Sequence, residues 1–225
     1  MPQLGKPLVF YLKHMAEMNR LYAHDEDEEP DLTGLADADR VREMSRAVGA
    51  AADGLAADFA ELCNRGFEEH FTKSGAAVFT SKRKRSYNLQ NWGGNARFEV
   101  PSVPGGWFSC GAWLTAPPEV RVPLPEGACG FVVVWLWAKG GRKGAEAIWK
   151  ALGGRAHSRG EEGAIDGNGS VALACVPIRP EPPDSFDVDR DRLLSEVLKT
   201  MTCVGPQEVK AIAGFVAGLT EADES

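Results

Sequence analysis

Apolar side chains recur along this chain with two periods, and the places where the period changes mark out its elements. Leu8, Tyr11, Leu12, Met15, Met18 and Tyr22 fall at helical spacing and predict an amphipathic helix of about four turns. Val41, Met44, Val48, Ala51, Leu55, Phe59, Leu62 and Phe67 then trace a single stripe. Arg42, Glu43, Arg46, Asp53, Asp58, Glu61 and Arg65 lie opposite it, so a long second helix is predicted, capped by Asp37 or Asp39.

From Arg97 the period becomes two. Phe98 and Val100 alternate with Arg97 and Glu99, and Val103 to Gly106 turn the chain into Trp107 to Leu114. In that strand Phe108, Cys110, Ala112 and Leu114 share one face; Trp107, Ser109, Gly111 and Trp113 share the other. The small residues between the two tryptophans leave a shallow groove, fit for a ligand ring or for a packed helix. Glu119 to Leu124 alternates again, with Pro123 marking it as an edge strand.

Phe131 to Trp137 is apolar at every position, the composition of a central strand covered on both faces. Lys139 to Gly144 reads as a glycine-rich basic turn, and Ala145 to Leu152 resumes at helical spacing with Ile148, Trp149 and Leu152. Residues 153–169 are polar and glycine-rich, a loop. Ser170 to Ile178 is a second doubly buried strand, followed by the proline-rich connector 177–183. Phe186, Leu193, Leu194, Val197, Leu198 and Met201 form a further helix. Gly205 and Pro206 separate it from a last one carrying Val209, Ile212, Ala213, Val216 and Leu219.

These elements assemble into an α+β fold with a three-layer tendency: a mixed, mainly antiparallel sheet of about five strands with helices packed on both faces. A single domain over 1–225 is expected. It comprises a helical part over 1–75, a sheet with one crossover helix over 95–178, and a helical pair over 184–220. Two doubly apolar strands joined through a helix predict a parallel pair with a right-handed crossover. The element order is similar to the core of the restriction-nuclease-like PD-(D/E)xK fold. Such chemistry needs a metal-binding carboxylate two residues before a lysine, and Trp137 holds that position ahead of Lys139. The likeness is one of order alone and implies no nuclease site.

Composition narrows the function. A 225-residue chain that is 44% hydrophobic has ample material for a packed core. Its formal charge of -7 argues against a protein that grips nucleic acid over its whole surface. Five scattered cysteines without a CxxC spacing point to buried free thiols in a reducing compartment, neither a disulfide framework nor a zinc site. The run Leu8 to Leu12 is too brief for a secretory signal, and no stretch approaches the roughly 20 apolar residues of a bilayer span. A cytoplasmic protein is expected, and the Ala, Gly and Arg usage points to a bacterial source.

Candidate chemistry is sparse. The acidic tract 25–31 reads as a solvated connector, with a phosphate-mimicking tract as the functional alternative. The basic run Lys82, Arg83, Lys84 and Arg85, followed by Tyr87 and Trp92, combines cations with stacking side chains and is the candidate nucleic-acid segment. Lys139, Arg142 and Lys143 around the glycine-rich turn 139–144 are the candidate anion site, because a following helix would aim backbone amides there. The turn's GGRKG spacing matches neither the GxxxxGK[ST] loop nor GxGxxG, and structural turns use glycine routinely.

His70 is expected on the surface near a helix carboxyl end, since Glu69 beside it points in a different direction. His157 lies in the polar loop. No catalytic residue, metal ligand or cofactor is assigned. The expected function is a non-catalytic interaction protein, accessory, inhibitory or regulatory, with a protein partner. A phosphate-ligand protein or enzyme using 139–144 is the alternative, and nucleic-acid binding through 82–85 a third. No membrane association is expected, and a homodimer contact along the long helix is compatible with the pattern.

Overall fold

The computed structural model describes residues 6, 9, 10, 12, 13, 55, 58–78, 92–115, 125–154, 170–182 and 188–219. The basic run 82–85, Tyr87, the acidic tract 25–31, the expected edge strand 119–124 and His157 lie outside them. Five strands form one sheet in sequence order: β1 (Ala77–Val78), β2 (Trp92–Glu99), β3 (Trp107–Thr115), β4 (Gly130–Trp137) and β5 (Ser170–Ile178). Helix α1 (residues 58–73) precedes the sheet, and α2 (Gly141–Ala151) joins β4 to β5. Helices α3 (Arg190–Thr200) and α4 (Pro206–Ala217) follow, linked by a 3-10 turn over Met201–Cys203.

Every pairing between neighbouring strands is antiparallel. The fold is therefore α+β with a five-stranded sheet, but the expected parallel pair is corrected. β4 and β5 run antiparallel, with Trp137 opposite Ser170 and Gly130 opposite Ile178. The chain leaves the sheet after Trp137 and re-enters at Ser170 on the same end, so α2 belongs to an excursion and not to a crossover. An apolar strand in an antiparallel sheet needs only two covered faces, and all of β4 except half-buried Trp137 is buried.

Strand alternation sorts the sheet into two faces. Phe98, Phe108, Cys110, Val132, Val134, Leu136, Val171 and Val176 join a single hydrophobic cluster with Phe59, Cys63, Phe67 and Phe71 of α1. Ile148 of α2, Val197 of α3 and Val209 and Ile212 of α4 belong to the same cluster, as do Val9 and Leu12 of the amino-terminal helix. At its centre Phe71 meets Phe98 and Phe108, with ring centroids 4.6 and 4.9 Å away, while Phe98 and Phe108 stack at 5.5 Å. Such rings contribute about 1.5–3 kcal/mol each by burial, plus a smaller share from ring geometry. Phe131, Val133 and Trp135 point to the other face; they are buried but lie outside that cluster. The expected helical cover of this second face is not among the described residues.

The helix ends follow local chemistry. Asp189 caps α3, its carboxylate accepting from the backbone N–H of Asp191 and Arg192 at 3.1 Å each. Pro206 opens α4, and Glu208 reaches back to accept from the Gly205 N–H at 3.0 Å. Two glycines permit close helix approaches: a Cβ on Gly66 of α1 would lie 2.3 Å from Leu198 of α3, and one on Gly106 would lie 2.6 Å from the Ala213 carbonyl of α4. The turn from β2 to β3 closes through Val100 N–H to Gly106 O at 3.1 Å, with Gly105 at φ +76°.

Three boundaries differ from the periodic reading. β2 starts at Trp92 although Gly93 and Gly94 interrupt its pattern, because the ladder to β3 runs unbroken to Trp92 opposite Leu114. α1 continues through Gly66 and Phe67 to Lys73, burying Phe71. β1, two residues paired with Phe98 and Glu99, is too short to leave a periodic signal.

Candidate functional site

The second face of the sheet brings together side chains that the sequence separates by up to forty positions. Glu99 of β2 pairs with Trp107 of β3, Arg97 pairs with Ser109, and Ser109 pairs in turn with Trp137 of β4. Alternation places Arg97, Glu99, Trp107, Ser109 and Trp137 on one face near one end of the sheet. Trp107 and Trp137 meet diagonally, ring centroids 5.3 Å apart and tilted by 39°. The Arg97 guanidinium lies over the Trp107 ring at 3.5 Å. All five residues are half-buried.

A guanidinium over an indole ring is stabilised by cation–π attraction of about 0.5–2 kcal/mol. The two indoles form an adjoining apolar wall. Behind Ser109 the floor is Gly111, opposite Trp135, which is only 7% exposed. The small residues expected to leave a groove on the Trp107 face thus have large neighbours, Trp137 opposite Ser109 and Trp135 opposite Gly111. Sequence reading placed Trp107 and Ser109 together, but Arg97 and Trp137 join them only through strand register, which one strand's alternation does not reveal.

The glycine-rich basic turn is organised differently. α2 begins at Gly141, so Arg142, Lys143 and Gly144 are helical and not part of a preceding turn. Gly140 and Gly141 have φ of +104° and +54°, and a Cβ on Gly144 would lie 2.6 Å from the carbonyl oxygens of Ala138 and Lys139. Each glycine therefore has a backbone or packing cause. Arg142 is exposed and paired with Glu146 one turn on, Nε to Oε1 at 3.2 Å; Lys143 is also exposed, and Lys139 is half-buried. The three cations flank one helix amino terminus without converging on a described cavity.

Of the nucleic-acid candidates only Trp92 is described, where it opens β2. His70 sits in the last turn of α1, as its spacing implied, but it is half-buried and not on the open surface. Its Nε2 lies 2.7 Å from the Val204 carbonyl oxygen. A carbonyl only accepts, so Nε2 carries the hydrogen, and His70 ties α1 to the junction before α4.

A shallow cleft between β5 and α3 is lined by Pro177, Arg179, Glu181, Val188, Asp189, Arg192, Leu193 and Glu196. Within it Arg192 pairs with Glu181 and with Glu196, and Asp189 is the α3 cap.

Four of the thiols are held protonated by burial. Burial pushes Cys63 up to about 12 and Cys129 and Cys175 to about 11, while Cys110 is raised well above the ordinary range by burial and by nearby Cys63. None of the five cysteines is in a disulfide, and Cys203 Sγ donates to the Thr200 carbonyl at 3.1 Å. Among the described residues no group of three His, Cys, Asp or Glu side chains is arranged to hold a metal ion. None of the described helices is long and apolar enough to cross a membrane. No family model, curated protein or solved structure matches the chain.

Proposed function

We propose that this chain is a non-catalytic cytoplasmic interaction protein, accessory, inhibitory or regulatory, and that it binds a protein partner through the Trp107, Trp137 and Arg97 patch. The observation that carries this reading is the half-buried stack of Arg97 on Trp107 beside Trp137. Tryptophan and arginine dominate the energetics of protein interfaces because each presents a large, rigid or planar surface together with a polar edge. The patch joins a guanidinium and two indole N–H groups to apolar ring surface, with Trp107 also packed against the hydrophobic cluster, whereas the phenylalanines of that cluster carry no polar atom.

Affinity capture from the native host with the intact chain, compared with a Trp107→Ala, Trp137→Ala double variant, tests the proposal. A partner held by the intact chain should be lost from the variant, with an affinity reduction of at least about 30-fold, matching roughly 2 kcal/mol at an interface centre. Circular dichroism and the thermal midpoint establish that the variant is folded. Undiminished capture by a folded variant would sink the assignment of this patch. A chain that recovers no partner and is monomeric by light scattering would sink the interaction reading itself.

A further inference from the structure

We draw no further inference here: the strongest candidate, the half-buried Trp107, Trp137 and Arg97 patch on the second face of the sheet, belongs to the site already proposed, and nothing in the structure shows what covers it.

Discussion

The two faces of one sheet carry aromatic side chains in different surroundings. On the helix-covered face Phe71, Phe98 and Phe108 are 0% exposed and contain no polar atom. On the other, Trp107 and Trp137 are half-buried, each with an indole N–H, and Arg97 lies across the first of them. β2 supplies Phe98 and Arg97 and β3 supplies Phe108 and Trp107, so backbone conformation does not distinguish these pairs. The difference lies in what a side chain must do at its boundary. A buried ring needs only contacts, whereas a ring at an edge with water gains from a polar handle and a cation.

The comparison can be broken at its strongest point. Phe98→Ala should cost about 3–5 kcal/mol in urea unfolding, since it removes a fully buried ring and leaves a cavity between Phe71 and Phe108. Trp107→Ala should cost clearly less in the same measurement while reducing partner binding by roughly 2 kcal/mol. Equal stability losses at the two positions would mean that both faces are core, and the functional contrast would fail.

A smaller effect sharpens the boundary of the helix-covered face. Gly106→Ala introduces a Cβ 2.6 Å from a backbone carbonyl of α4, which has no flexible end to move aside. Its expected cost is about 1–3 kcal/mol, read from the shift in denaturation midpoint at unchanged slope. An unaltered midpoint would show that α4 docks more loosely than the geometry implies.

Alkaline pH separates the faces through their thiols. A buried thiol whose pKa rises on folding keeps its proton longer in the native state than in the unfolded chain. Its stabilising contribution is complete below the unfolded value of 9.0 and declines as pH climbs toward about 12 for Cys63. Stability should fall by about 1.4 kcal/mol per pH unit for each such thiol within that window. Native-state labelling with iodoacetamide should reach half-buried Cys175, opposite Val133 on β5, before fully buried Cys63 and Cys110. Simultaneous labelling would report global unfolding and remove the distinction.

Much of the architecture was legible in the chain. The two faces of β3, the burial of β4 up to half-buried Trp137 and the helical stripes of α3 and α4 follow from apolar spacing, because burial imposes the period directly. Strand direction was not legible. Periodicity fixes which side chains share a face but says nothing of whether a strand returns parallel or antiparallel, so a helix between β4 and β5 resembled a crossover. Glycine caused two of the errors of boundary: Gly93 and Gly94 lie within β2, and Gly141 and Gly144 within α2, at positions whose backbone neighbours decide the conformation. The candidate patch was half legible. Trp107 and Ser109 share a face by alternation, while Trp137 and Arg97 arrive through register with neighbouring strands.

The sequential order of the sheet also sets a timetable. β2, β3 and β4 are joined through connections confined to 100–106 and 116–129, whereas β5 must return after the excursion over 138–169. Closing the longer connection costs more chain entropy before any contact repays it, so the hypothesis is that β5 docks after the rate-limiting step. Val176→Ala, at a buried position of β5, should then accelerate unfolding several-fold and change the refolding rate by less than about twofold in stopped-flow measurements. A refolding rate that falls in proportion to stability would place β5 in the nucleus instead. On the expected outcome, the aromatic patch on β2, β3 and β4 is assembled early, and the native lifetime is set by the last strand to arrive.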